Sequence, residues 1–479
     1  MSKVEQNIEI IQHQNEIETC YNDIERKRRS GRKSDIETTL RKNGQGIESF
    51  GRKGNNQMTS RERVWAAIHH QQPDRVPLDL GATSQTGINA STLYRLRAAL
   101  GLPEKPIEIS EIFQMLGAVD EDLRQLVGAD AVGINGPGDM FGGRNTACNK
   151  PFVMSDGTPT LVGDSIELEQ LDDGSVVAYP QGDRSVPPSG KMPAGGSFFD
   201  NIDRSGEFDE DDLTPEEDFS EAFSVMDDDT ARYIEKQAEH YYQNTDYALV
   251  GNLGGFGIGD SAMVPGPHEK HPKGIRRFDD WLMAHMLYPE YIQAVFEMQT
   301  QVMLKNLEIY KQAVGDKIQI VWISGTDFGT QNGGFFSPDI FRELYKPYYK
   351  RVNDWVHENT EWKTFYHSCG SIVSFLDDFV EMGVDILNPV QLSANGMDGH
   401  MLKEKYGDKL VFWGGGVDTQ KTLPYGTPEE VRQQVLERLE IFSPGGGYVF
   451  NTIHNIVAKT PVENLIAMFQ AVQEFNGRA

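Results

Sequence analysis

The feature of this chain that most restricts its fold is a repeated alternation. Short β-like runs rich in Val, Ile, Leu and aromatic residues are each followed by a stretch with helical spacing of apolar positions. The runs fall at residues 76–81, 131–134, 247–254, 318–324, 363–369, 385–390, 410–416 and 447–451. Helices are expected near 112–127, 230–242, 272–286, 289–314, 338–359, 372–382, 399–406, 428–441 and 461–475. A further helix is expected to be capped by Ser60, with Arg61-Glu62-Arg63 in its first turn and Val64, Ala67 and Ile68 on its apolar face. Eight strands that each lead into a helix close most naturally as an α/β (β/α)8 TIM barrel. An open doubly wound sheet is the alternative. No G-x-G-x-x-G opens a helix after the first run, and Gly414-Gly415-Gly416 comes too late in the chain to serve as that turn.

Two regions depart from the alternation. Residues 138–230 hold short β-like pieces (160–162 and 175–179) between Pro, Gly and Asp turns, then acidic runs at 207–212 and 227–229. They read as a hairpin-bearing excursion with a solvated acidic loop, inserted in a domain that runs from 58 to 479. Residues 1–57 carry 11 Lys and Arg against 9 Asp and Glu, with few aromatics and a Gly/Asn-rich end. They read as a mobile extension with a helix over 3–29, or as sequence upstream of a start at Met58.

The formal net charge of −27 argues against a nucleic-acid backbone or an anionic membrane surface as partner. Three cysteines, Cys20, Cys148 and Cys369, make no disulfide framework, so a reducing cytoplasm is expected. No apolar run reaches the roughly 20 residues that span a bilayer.

In a barrel of this kind, chemistry gathers where strands end and the following loops begin. The fifth run ends in His367-Ser368-Cys369-Gly370. His367 and Cys369 are two residues apart, so a strand places both on one face. Alone, that pair is more often a buried thiol beside a hydrogen-bonded imidazole than a metal site. His454 lies just past the eighth run and would supply a third ligand. An N, S, N set suits zinc best, with a fourth position left open for catalysis, although ferrous or cobalt ions also fit it. Other polar residues at the same ends are Asp79, Asp327, Gln331, Asn388, Gln391, Asp418 and Gln420.

Several stretches together resemble the uroporphyrinogen decarboxylase superfamily, most closely its methyltransferase-like branch. They are Arg75-Val76-Pro77-Leu78-Asp79, Thr326 to Gln331, Ser337-Pro338, His367 to Gly370, Leu387 to Gln391, and Thr460 to Asn464. That branch includes methylcobamide:coenzyme M methyltransferases and corrinoid-dependent O-demethylase components. The resemblance implies a (β/α)8 barrel and a zinc site made from His-x-Cys and a distant Cys. His367 and Cys369 match the first pair, and His454 stands where the distant Cys is expected. True decarboxylases of the superfamily carry an Arg-rich Met-Arg-Gln-Ala-Gly-Arg motif near the N-terminus, and this chain has Leu78-Asp79-Leu80-Gly81-Ala82-Thr83 instead. The implied function is zinc-dependent methyl transfer with a corrinoid carried by a partner protein, and a small methyl donor or a thiol acceptor. A metal-free decarboxylase and a non-catalytic corrinoid-binding barrel are the alternatives. Asp327 and Asp79 are then expected as catalytic orienting or protonating groups. Asn388, Gln391, Gln331, Asp418, Gln420 and Tyr366 are expected to bind substrate.

Overall fold

The structure is a computed structural model, and it describes residues 57–253 and 257–477. Of the extension expected over 1–57, residues 1–56, Cys20 among them, lie outside the described residues.

The strands of the described residues are, in chain order, β1 (Ile107–Glu111), β2 (Leu116–Gly117), β3 (Ala131–Asn135), β4 (Cys148–Val153), β5 (Pro159–Gly163), β6 (Leu168–Gln170), β7 (Val176–Ala178), β8 (Gly190–Met192), β9 (Asp200–Asn201), β10 (Ala248–Asn252), β11 (Ile320–Ser324), β12 (Lys363–His367), β13 (Ile386–Asn388), β14 (Val411–Trp413) and β15 (Tyr448–Val449). Seven of them, β3 and β10 to β15, form the parallel central sheet. They lie side by side in chain order, with β3 and β15 at the two edges. Consecutive parallel neighbours need a crossover, and helices supply it. Among these are Asp228–Asn244, Pro289–Val314, Lys346–Asn359, Gly399–Tyr406, Pro428–Phe442 and Val462–Asn476. The first expected strand is reduced to a bridge at Leu78, but its backbone meets both sheet edges. Leu78 bridges Phe450, Asp79 N donates to Phe450 O at 2.9 Å, and Asp130 N donates to Leu78 O at 2.7 Å. The fold is therefore α/β, with a curled parallel sheet of TIM-barrel type.

The period-two alternation of each strand divides the core in two. Ala131, Val250, Ile320, Phe365, Ile386, Val411, Trp413 and Val449 pack together on the inner face of the sheet. Ile134, Leu249, Val321, Tyr366, Leu387, Phe412 and Tyr448 face outward into the core shared with the helices. The first helix of the described residues, Ser60–Ile68, is capped by Thr59 and not by Ser60, and seals one end of the inner core with Val64, Ala67 and Ile68. Its end is the one where strands begin, because Arg61 N bonds Asp246 O and Gly447 N bonds Ala67 O.

One expected helix is corrected. Residues 112–127 are helical only over Glu121–Val127. Met115 sits at φ +52°, which turns the chain, and Leu116–Gly117 pairs as a short strand with Ile107–Glu111. Gly117 is needed there, since a Cβ would come within 2.6 Å of both Ile107 and Leu93. The helix expected over 272–286 begins at Phe278. The segment between β3 and the helix Asp228–Asn244 contributes strands to two small four-stranded sheets. One joins Cys148–Val153 and Pro159–Gly163 to Ile107–Glu111 and Leu116–Gly117. The other is an antiparallel meander of Leu168–Gln170, Val176–Ala178, Gly190–Met192 and Asp200–Asn201.

The strand-start end is held by a buried carboxylate. Asp130 is fully buried and accepts from Arg63 at 2.7 Å, from Arg75 at 2.8 Å, from the Ser60 hydroxyl at 2.8 Å and from Leu78 N at 3.0 Å. It ties the sealing helix, the Leu78 segment and β3 together. Asp130→Ala leaves two guanidinium groups without their buried partner, so we expect a loss of roughly 3–5 kcal/mol in urea unfolding. A loss below 1 kcal/mol would contradict this role.

Candidate metal centre

Two interlocked loops build the upper rim of the sheet. β12 ends at His367, and the chain turns through Ser368-Cys369-Gly370. Gly370 has φ +88°, and a Cβ there would lie 2.3 Å from the carbonyl of Gly329. Gly329 in turn has room for no Cβ, which would fall 2.8 Å from Cys369 O and from Ser371 N. The loops after β11 and β12 thus touch backbone to backbone, which only glycine permits at both positions. Polar bonds fasten them. Phe328 N donates to the Ser368 hydroxyl at 3.0 Å, Ser371 N to Thr330 O at 2.7 Å, and Cys369 N to Asp327 Oδ1 at 2.6 Å.

His367 and Cys369 continue the inward parity of Phe365, so both point over the inner core. His367 Nε2 lies 3.3 Å from Cys369 Sγ. The ring of His454, from the loop after β15, is centred 5.2 Å from that of His367 and tilted by 71°. The ligand atoms of His367, Cys369 and His454 all lie within 4.8 Å of one another. A tetrahedral zinc with usual bond lengths sets its ligand atoms roughly 3.3–3.6 Å apart, so the His367–Cys369 edge already has that length.

The tautomer of His367 follows from its neighbours. Asn388 Nδ2 donates to Trp413 O at 2.8 Å, which turns Asn388 Oδ1 towards His367 Nδ1 at 2.6 Å. An amide oxygen only accepts, so Nδ1 carries the proton and Nε2 keeps its lone pair towards Cys369. Burial pushes His367 down to about 4, against the raising effect of its Asn388 bond. Burial and the neighbouring His367 push His454 down to about 4 as well. Both imidazoles are neutral at pH 7, as a metal ligand must be. Burial, and then the Asp327 carboxylate, raise the Cys369 thiol well above its usual range. A bound cation reverses that shift. The donor set, the two neutral imidazoles and the His367–Cys369 edge fit zinc.

The other expected residues divide into four groups. Asp327 stands at the mouth of the cluster, with Oδ1 3.9 Å from His367 Nε2 and its side chain 40% exposed. Asn388 and Gln391 support the cluster from behind, Gln391 by accepting from Gly370 N at 2.7 Å. Gln331 and Gln420 meet at 3.3 Å on the exposed rim, and Asp418 caps its own turn by accepting from Gln420 N and Lys421 N. Asp79 and Tyr366 lie outside the cluster. The Asp79 carboxylate is buried, accepts from Trp413 Nε1 and Ala82 N, and is pushed up to about 6 by burial. Tyr366 faces the helices, where its hydroxyl donates to Asn353 at 2.7 Å.

Asp260 is an acid that the strand ends do not reveal. It sits in the loop after β10, which Thr326 ties to the Asp327 loop by donating to Ile258 O at 3.0 Å. Its Oδ1 accepts from Ala262 N at 2.9 Å. Burial first, and the charge of Asp327 second, push its carboxyl up to about 7. Two neighbouring acids of which one keeps its proton near neutrality can both give and take a proton.

Residues 269–475, somewhat under half of the chain, match the family model described as Uroporphyrinogen decarboxylase (URO-D). Curated relatives include uroporphyrinogen decarboxylases from Pseudoalteromonas translucida, 27% identical over 150 residues, and from Coxiella burnetii, 22% identical over 197 residues. Those stretches cover 30% and 40% of this chain, and only 40% and 50% of the relatives' own lengths. A methyltransferase from Methanosarcina mazei superposes with a TM-score of 0.51 at 17% identity, over 88% of this chain and 99% of that one. At that identity the likeness establishes the shared fold. The resemblance to the URO-D superfamily holds, and the fold is one that a methyltransferase also uses.

Two outcomes are expected of variants. Asn388→Ala keeps all three candidate ligands but frees the His367 ring, so zinc affinity falls roughly 10–100-fold in chelator competition. Unchanged affinity would mean that the bond orients nothing. Asp260→Asn tests the acid pair through stability. A carboxyl raised by folding binds its proton more tightly in the folded state, so its contribution is lost as pH rises from about 4 to about 7. The variant should match wild type at pH 4 and exceed it by roughly 1–3 kcal/mol at pH 8 in urea unfolding. A pH-independent difference would contradict the shift.

Proposed function

We propose that this chain is a zinc-dependent methyltransferase that moves a methyl group between a small molecule and a corrinoid held by a partner protein. The observation that carries the proposal is the convergence of His367, Cys369 and His454, with neutral imidazoles, at the mouth of the sheet. A closed (β/α)8 barrel completes the picture, with the Leu78 segment as its eighth strand and residues 138–230 as an insert in a domain from 58 to 479. The backbone bonds of that segment to Phe450 and Asp130 support the closure. Cys148 and Cys369 are both free thiols, which suits a reducing cytoplasm.

His367, Cys369 and His454 would hold the zinc. When bound, it supplies a Lewis acid that lowers the pKa of a substrate thiol or hydroxyl. Asp327, fixed by Cys369 N, stands where a substrate proton enters or leaves, and Asp260 beside it exchanges that proton with solvent. Gln331 and Gln420 offer side-chain amides at the rim for the substrate's polar groups, and Asp418 shapes the turn that presents Gln420. Asp79 acts by positioning, because its carboxylate holds Trp413, whose carbonyl orients Asn388. The buried inner core under the site keeps bulk water from the reacting atoms on one side.

A second reading, a metal-free decarboxylase, draws on the names of the curated relatives. One experiment separates the two. Purified protein should bring zinc with it, and should transfer methyl groups from methylcobalamin to a panel of thiols, releasing cob(I)alamin, or from methyl ethers to cob(I)alamin, releasing the alcohol. Chelation, or a His367→Ala/Cys369→Ala pair, should cut that transfer by at least roughly 100-fold. Carbon dioxide release from a carboxylated substrate, undiminished by chelation, would establish the second reading instead.

A further inference from the structure

A cavity of about 280 Å³ lies to one side of the metal centre, lined by Leu392, Ser393, Asp418, Lys421, Arg438 and Ile453, together with Thr422 and Gln434. Its walls are the loops after β13, β14 and β15 and one face of the helix Pro428–Phe442. They are fixed in place. Gln434 accepts from Asp418 N at 2.8 Å, Leu423 N donates to Asp418 O at 2.8 Å, and Ile453 N donates to Val417 O at 3.0 Å. Arg438 follows Gln434 by four residues, one turn along the same face, so the helix that pins the loop also directs a guanidinium to the cavity.

The charge there runs against that of the chain. The formal net charge is −27, yet this cavity is lined by two cations and one carboxylate. Among the described residues, neither Lys421 nor Arg438 has an acid within salt-bridge reach. One Asp418 oxygen is already taken by two backbone amides. Arg438 is half-buried, and the group it acts on electrostatically is the phenol of Tyr448, which is neutral at pH 7. Lys421 is exposed, and Arg438 is partly removed from water with no carboxylate opposite it among the described residues. Ser393 and Thr422 add hydroxyl donors to the same walls.

We infer that this cavity binds a small anion, with Lys421 and Arg438 as its counter-charges: a phosphate monoester or a carboxylate. The volume is at the small end for a ligand pocket and suits a phosphate or carboxylate head with a few attached atoms. Arg is the side chain suited to planar, two-pronged contact with either group, and Lys supplies the point charge. Loops after late strands of such barrels, with the helix that follows, are a favourable place for such a group. The inference stands apart from the methyl-transfer reading, because it uses none of the candidate metal ligands.

The test is calorimetric titration of the full-length protein with inorganic phosphate and, separately, with acetate, at constant ionic strength. Saturable binding of either anion is expected, and the one that binds more tightly identifies the head group. In Lys421→Gln/Arg438→Gln that binding should weaken by roughly tenfold or more, while the variant keeps its zinc content. Arg438→Lys keeps the charge and should fall between the two. Absence of saturable binding by wild type to both anions, or equal binding by wild type and the double variant, would overturn the inference.

Discussion

Phe365, His367 and Cys369 share one face of β12 and its turn, and the upper rim depends on that parity. A shift of one residue would send the imidazole and the thiol into the helices and bring Tyr366 over the inner core. Register is set by packing below and by the loop above. Below, Phe365 is locked against Trp413 in the inner core, ring to ring at 5.5 Å. Above, Gly370 and Gly329 meet backbone to backbone, so the turn that carries Cys369 can neither bulge nor slide. Apolar packing and glycine sterics thus determine where the polar chemistry sits.

The support behind the cluster is a relay of ordinary hydrogen bonds. Asp79 holds Trp413, the Trp413 carbonyl orients Asn388, and Asn388 selects the tautomer of His367. Each member is buried, so an alternative arrangement would leave a polar atom unpaired. On the open side, Asp327 stands at the mouth, and its charge reaches Asp260 in the loop after β10.

Much of this was legible in the sequence, for physical reasons that also explain the rest. Strands buried on both faces read as apolar runs, which is why seven of the eight expected runs appear as paired strands. The parity rule that places His367 and Cys369 inward also sends Tyr366 outward, where its hydroxyl donates to Asn353. The helix expected over 112–127 failed because Met115 takes a positive φ without the Gly or Asn that normally marks such a turn. Asp260 was invisible because it reaches the site through the fold of a long loop, and no spacing rule links it to Asp327. Asp79 sits at a strand end, as an active-site acid does, but a buried indole claims its carboxylate.

The central claim is that His367, Cys369 and His454 together bind zinc. Zinc K-edge X-ray absorption on the purified protein tests it most directly. The account predicts one sulfur scatterer at about 2.3 Å and two imidazole nitrogens at about 2.0–2.1 Å, with a fourth light ligand from solvent or substrate. A zinc environment made only of oxygen and nitrogen, or protein that purifies without zinc and does not take it up, would contradict it.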